Sequence, residues 1–401
     1  MAATKDSAGP RTVRRTGGSQ PSRRGAGAKA SAPKARKPVW RHIVDVLLII
    51  ADVLVVGALC LTSYAGMVSP LKSGGIWGIF PLGLPIVLMV MFGLTVLQLF
   101  INRKGLFILL AGVLLCGGPL LTYCPLHIGT DKPREGAETF TLLTYNVLNF
   151  EPEDTSITKD GSPALDYILR TNADVVCLQE VAGFAPGKRS GITPAQLDKL
   201  HSLYPYVIVS GKAQAFLSKY PVQPIHLDNS EESFVSGDIG AYRITLPTGK
   251  LVTIFNVHLY SYSLNADDKE MYVNLTGLKR EPFSDVRSQL LHKLRVAAEG
   301  RARQAIQMQR WIRLYGGPDC IVCGDFNDVQ GCYTIRHLGE SGFEDVYPRV
   351  GFGPMITYHD DRFYFCIDHI LSRGSLKPLW LRKGRLTASD HYPLLTEFEI
   401  I

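Results

Sequence analysis

Residues 321–328, IVCGDFND, run from an apolar stretch into glycine and then set two carboxylates around an amide within four positions. Gly, Asp and Asn are turn formers, so a surface turn accounts for them; the sharper reading is a metal or phosphate site at the end of a buried strand. Five other apolar runs end in the same manner. TLLTYN closes on Asn146, VVCLQE on Glu180, TIFNVH on His258, FYFCID on Asp368, and TASDH on Asp390 and His391, while IVCGDFN itself carries Asp325 and Asn327. Taken singly, each is an ordinary strand end. Taken together, strands of one sheet would gather several carboxylates that repel unless a positive group sits among them.

The donor types indicate which cation that would be. Carboxylate and amide oxygens with few nitrogens and no paired thiolates suit a hard ion, Mg²⁺ or Mn²⁺, and not zinc. Mg²⁺ commonly takes one or two carboxylates and leaves its other positions to water and substrate phosphate, so the composition points to phosphoryl chemistry.

The elements that must hold these residues read as a mixed α/β domain. Short runs of Val, Ile, Leu, Phe, Tyr and Thr form candidate strands, and helix-period stretches lie between them at 163–171, 193–203 and 286–315, with no internal repeat. Of eight cysteines, Cys60, Cys116 and Cys124 fall in or beside apolar runs near the N-terminus. Cys320 and Cys323 form an isolated CxxC without a second pair, which is weak as a zinc or redox motif. Cys177, Cys323 and Cys366 lie within apolar strands, as small buried hydrophobes do.

Charge is uneven along the chain. Residues 1–130 carry 14 Lys and Arg against 3 acids, which leaves 29 basic against 33 acidic side chains after them, although the whole chain is +7. The basic balance therefore belongs to the N-terminal part, and the globular region lacks the electrostatic footprint that nucleic-acid tracking requires. Residues 1–38, rich in Ala, Gly, Ser, Pro, Arg and Lys, read as a disordered basic tail.

Between them, 39–128, lies a membrane region of about three helices, each near the ~20 apolar residues that cross a hydrocarbon core. The runs begin at Ile43, near Ile76 and at Leu106. The first is too long and too far from the start for a cleaved signal peptide. Lys and Arg crowd before the first span and at Arg103 and Lys104, so the positive-inside rule puts the N-terminus in the cytoplasm. Three spans then place everything beyond about Thr130 on the extracytoplasmic side of a plasma or inner membrane. Asp45 and Asp52 share one face of the first span; an ionisable group there is either functional or held at a headgroup or helix contact.

The blocks TYNVLNF, CLQEV, FNVHL, CGDFND, CIDHIL and SDHYPL, in that order, resemble the signature blocks of the endonuclease/exonuclease/phosphatase superfamily, which includes deoxyribonuclease I, abasic-site endonucleases, inositol polyphosphate 5-phosphatases and neutral sphingomyelinases. The likeness covers 138–401, with 129–137 as a linker. It implies a four-layer αββα sandwich of two mixed sheets and a divalent-metal-dependent phosphoesterase. Residue by residue, it implies Glu180 as principal metal carboxylate with Asn146 and Asp390 beside it, and His391 as catalytic histidine oriented by Asp368. Asp325 would position or deprotonate water, Asn327 would bind a phosphate oxygen, and His258 would match a second histidine of the nuclease and sphingomyelinase branches. His391 could act as general acid, general base or charged phosphate clamp.

The chain departs from compact members in a long stretch after His258, followed by a helix with Arg295, Arg301, Arg303, Arg310 and Arg313. One reading is a cap with phosphate-binding arginines, Arg303 being the expected substrate ligand; the other is a solvated helix. The expected substrate is a phosphodiester, nuclease-like, or else a phospholipid or sphingolipid headgroup or a small phosphomonoester. A non-catalytic membrane scaffold that keeps the fold is the rival from another class, and the intact polar set speaks against it.

Overall fold

A computed structural model describes residues 38–151, 161–181, 183–184, 190–210, 213–228, 238–262, 284–360 and 363–401. Residues 1–37 of the expected tail, and 263–283 of the expected cap, lie outside the described residues.

The apolar N-terminal region forms α1 (Val39–Tyr64), α2 (Leu84–Phe100), α3 (Gly105–Leu115) and α4 (Gly117–Tyr123), with four 3-10 turns between α1 and α2. The turns follow from composition: Pro70, Pro81 and glycines at 74, 75, 78 and 83 break the helical hydrogen-bond ladder. Val39–Met67 and Ile76–Phe100 are long and apolar enough to cross a membrane, with mean hydropathy 2.7 and 2.3. The third expected run is a pair of helices bent by 73°, α3 and α4, so the described residues hold two candidate spans, or three if that pair crosses as one. Asp52, fully buried, accepts a 2.7 Å hydrogen bond from Gln98 Nε2, which makes it a polar contact between α1 and α2.

Two six-stranded mixed sheets follow. The first has the order β11-β12-β1-β2-β4-β3, from β1 (Thr139–Asn146), β2 (Val175–Gln179), β3 (Tyr206–Ser210), β4 (Gln214–Ser218), β11 (Leu376–Lys383) and β12 (Leu394–Ile400). The second has the order β5-β6-β7-β8-β10-β9, from β5 (Val222–Ile225), β6 (Asp238–Thr245), β7 (Leu251–His258), β8 (Cys320–Asp325), β9 (Glu344–Asp345) and β10 (Asp368–Arg373). The core between the sheets is built from inward-facing residues of both, including Leu142, Cys177, Phe216, Tyr242, Ile254, Ile321, Cys323 and Phe398. A second core lies against α5 (Pro163–Thr171) and α6 (Pro194–Leu203), and a third against α7 (Ser284–Tyr315) and α8 (Tyr333–Gly339). The result is the α/β four-layer αββα sandwich. A short α9 (Val346–Val350) closes the chain's helices.

Strand alternation explains the lone CxxC. Cys320 joins the core under α7 whereas Cys323, three positions on, joins the core between the sheets, so the two thiols face opposite layers. All eight cysteines are free of disulfides.

The connection between α1 and α2 docks on the sandwich. Arg336 of α8 donates from Nη2 to the Ser63 carbonyl at 2.8 Å, and Arg295 of α7 donates to the Gly74 carbonyl. Gly66 lies so close to the Gly331 backbone that an added Cβ would stand 1.9 Å from its carbonyl oxygen.

Candidate active site

Register brings the polar strand ends to one edge. β1 and β2 are parallel and pair Asn146 with Gln179, so Glu180 follows directly beyond. β7 and β8 are parallel and pair His258 with Asp325, while antiparallel β10 starts there by pairing Asp368 with Asp325. Asp390 and His391 precede β12, which runs antiparallel to β1.

Glycine in CGDFND has a steric cause. Gly324 has φ 138°, and a Cβ there would lie 2.0 Å from the Val257 carbonyl oxygen, so only glycine allows β8 to approach β7 this closely. Glu180 and Asn327 are themselves left-handed, with φ 54° and 50°. Non-glycine residues in that region carry strain of about 1–3 kcal/mol and persist where the surroundings over-determine them.

Side chains from both sheets meet. Asn146 Nδ2 donates to Glu180 Oε1 at 3.0 Å and to Asp325 Oδ2 at 3.2 Å. His258 Nε2 stands 3.7 Å from each of the same two oxygens, and His391 Nε2 stands 3.6 Å from Asp325 Oδ2. His391 Nδ1 lies 2.8 Å from Asp368 Oδ2. Burial opposes charge on the His391 ring, but the neighbouring Asp368 and Asp325 carboxylates outweigh it and push its pKa up to about 10. Asn327 N donates to Asp325 Oδ1 at 2.8 Å, and its Nδ2 donates to the Leu259 carbonyl at 3.1 Å, which leaves that amide one further N–H.

Asp390 is raised above the usual carboxylate range, chiefly by burial and then by the Glu180 charge, with His391 working in the other direction. A cation between Glu180 and Asp390 would relieve that repulsion, so the oxygen-rich donors fit a hard divalent ion. Asp325, Asp368 and His391 also place one potential ligand atom each within 4.8 Å of one another. The Asp368–His391 hydrogen bond already uses two of these ligand atoms on each other, which favours the Glu180 side for a metal.

Eight of the nine residues expected from the sequence, Asn146, Glu180, His258, Asp325, Asn327, Asp368, Asp390 and His391, thus fall at one edge. Arg303 does not. It is exposed, pairs with Glu299 at 3.7 Å, and is absent from the cleft wall. Successive helix positions differ by about 100°, and the buried face of α7 runs through Ala298, Arg301, Ala305 and Met308. The arginine turned inward is Arg301: fully buried, 3.5 Å from Asp328 Oδ2, donating to the Tyr260 carbonyl at 3.0 Å, and stacked 4.1 Å from the Tyr262 ring centre.

Several supporting residues are invisible in the polar strand-end pattern. Gln179 donates to Asn256 Oδ1 at 2.6 Å, and Asn256 donates to the Leu178 and Ala215 carbonyls at 3.0 and 3.3 Å, which ties the two sheets beneath the site. His369 is buried between Asp345 Oδ2 at 3.1 Å and the Asp328 carbonyl at 3.0 Å. Tyr358 packs edge-on against His391, ring centres 5.0 Å apart.

The model of the Endonuclease/Exonuclease/phosphatase family matches residues 143–391, from within β1 to His391. No curated protein matches the chain. Among solved structures, a family protein from Bacteroides thetaiotaomicron aligns at 16% identity and TM-score 0.43 over 66% of this chain and 99% of its own. One from Leptotrichia buccalis aligns at 15% and 0.43 over 65% and 100%, and TDP2 from Caenorhabditis elegans at 17% and 0.42 over 82% and 92%. Members of this family hydrolyse phosphate ester bonds and are generally divalent-metal dependent. The matched span contains every strand end that contributes to the carboxylate–histidine edge, and on that match the chain belongs to the Endonuclease/Exonuclease/phosphatase family.

Proposed function

We propose that the chain is a membrane-anchored phosphodiesterase that works with Mg²⁺ or Mn²⁺ on the extracytoplasmic side. The observation that carries this reading is the convergence of Glu180, Asp325 and Asp390 with His258 and His391, from both sheets, at one edge of the sandwich. Glu180, with Asn146 and Asp390 beside it, would hold the ion. A bound hard cation there supplies charge neutralisation on the non-bridging phosphate oxygens.

The chain's own groups account for the proton movements. Asp325, fixed by the Asn327 amide, takes a proton from the attacking water. His391, protonated and aligned by Asp368, donates from Nε2 to the departing oxygen. The spare N–H of Asn327 and the His258 ring face the phosphate. Water oxygen bonds to phosphorus, one ester P–O bond breaks, and the products are a phosphomonoester and an alcohol.

The division into tail 1–38, membrane region 39–128, linker 129–137 and catalytic domain 138–401 belongs to this reading, as does its orientation. Three crossings are supported by the docking of the α1–α2 connection on the sandwich through Ser63 and Gly74. With two crossings only, that connection and the catalytic domain would lie on opposite sides of the membrane.

The full-length protein in detergent tests the reading with bis(p-nitrophenyl) phosphate, with and without chelator. Turnover that needs Mg²⁺ or Mn²⁺ and is lost in Glu180→Ala is the expected outcome; turnover undiminished in E180A overturns the metal assignment.

A further inference from the structure

The carboxylate–histidine edge is the floor of a cleft of about 530 Å³, within the ~300–1,000 Å³ of small-molecule sites. The described part of its walls lacks the basic character of a nucleic-acid channel. Among the described residues no lysine or arginine lines it, whereas single strands and duplexes are tracked by basic grooves. The walls are apolar, and they come from three sources: Leu290 and Leu294 of α7, Phe363, Phe365 and Ile367 just before β10, and Phe80, Leu82 and Ile86 at the docked end of the membrane region. Thr62, in the last turn of α1, and Ile86, in the first turn of α2, belong to segments long enough to cross a bilayer. The cleft therefore runs from the catalytic groups directly into the ends of two membrane helices.

A second apolar surface lies at the exit of the membrane region. Just beyond α4, Leu126 and Ile128 are 63% and 85% exposed, and Leu126 bridges to Phe352, which is 64% exposed. Large apolar groups at the exit of a membrane segment are at home in the interface and costly in water.

We propose that the occupant of this cleft is a phospholipid of the bilayer, with its phosphodiester at the carboxylate–histidine floor and an acyl chain laid along Phe80, Ile86, Leu290 and Leu294. The lipid enters sideways from the leaflet around the ends of α1 and α2, so the chain stays out of water throughout. Hydrolysis adds water across one ester P–O bond, giving a phosphomonoester and an alcohol. The turnover part rests on the phosphodiesterase reading above, whereas occupancy of the groove does not.

The test uses the full-length protein in vesicles of phosphatidylethanolamine and phosphatidylglycerol that carry a photoactivatable group on one acyl chain. Irradiation with chelator present, followed by peptide mass spectrometry, is expected to place adducts on 76–86 and 288–295. In Leu294→Trp and in Ile86→Trp those adducts fall at least fivefold, while adducts on the exposed α1 face at Val53 and Leu54 stay constant and report that the protein is intact. With Mg²⁺ or Mn²⁺ added, L294W lowers the ratio of vesicle-lipid to bis(p-nitrophenyl) phosphate turnover at least tenfold. Groove adducts without turnover of any diester leave the lipid groove standing and remove the phosphodiesterase reading. Diester turnover with groove adducts no higher than those on α1, or unchanged in both tryptophan variants, overturns the lipid proposal. So does plasmid DNA cleavage with no groove adducts.

Discussion

Asn146 and Asp325 lie 179 positions apart on different sheets, yet the Asn146 amide nitrogen is 3.2 Å from Asp325 Oδ2 and shares its other contact with Glu180 at 3.0 Å. One neutral amide therefore separates two carboxylates that belong to different layers. Hydrogen bonds to charged groups are worth about 1.5–3 kcal/mol, roughly 10- to 150-fold in rate when they act in the transition state. Asn146→Ala is expected to lower kcat/KM on bis(p-nitrophenyl) phosphate by about that factor and to raise the Mg²⁺ concentration needed for half-maximal activity. Steady-state kinetics over a metal titration reads both, and an unchanged metal requirement would remove Asn146 from the metal site.

Asp368 acts through His391. It holds Nδ1 at 2.8 Å and, with Asp325, keeps the ring protonated against the cost of burial. Asp368→Asn keeps the shape but removes the charge that orients and stabilises the imidazolium, so kcat is expected to fall by at least about 100-fold, the lower end for loss of a general acid, with KM changed little. A loss confined to KM would assign Asp368 to substrate binding.

Much of this edge was legible because strand ends are where a two-residue period stops and polar residues cluster. Asn146, Glu180, Asp325 and His391 stand out since each closes an apolar run. Gln179 and Asn256 do not, because each lies inside such a run and its partner is in the other sheet. The inward arginine was missed for a related reason. Arg301 and Arg303 both fit a helix, and only the packing of α7 on Tyr260, Tyr262 and Asp328 decides which turns in. The membrane runs were readable by length, but their contribution of Phe80 and Ile86 to the cleft joins segments some 200 positions from Leu290 and Leu294, a relation no local pattern encodes.

Those two arginines give a sharp contrast. Removing one partner of a buried ion pair costs about 3–5 kcal/mol because the other charge is left without compensation. Arg301→Ala is expected to lower the thermal midpoint of the full-length protein markedly, through Asp328 and the loop that carries Asn327. Arg303→Ala, on the solvent face, is expected to stay within about 0.5 kcal/mol of the parent and to retain turnover within twofold. Equal effects of the two substitutions in thermal denaturation would contradict the packing of α7.

The same loop is also held by His369, which contacts the Asp328 carbonyl at 3.0 Å, and this contact titrates. Burial disfavours a charged ring, but the hydrogen bond and charge of Asp345, with the Asp328 carbonyl, raise the His369 pKa above its ordinary value. A group whose pKa is higher folded than unfolded binds its proton more tightly in the native state, so its stabilisation is complete below the unfolded value of about 6.5. It is then lost as pH rises through the folded value. Thermal stability of the full-length protein should therefore decline from near-neutral toward alkaline pH. In His369→Gln, which keeps hydrogen bonding without a titrating proton, that part of the slope should vanish although the protein is less stable at low pH. A parent profile flat across this range, or a slope unchanged in H369Q, would show that the ring does not hold the Asp328 loop through its charge.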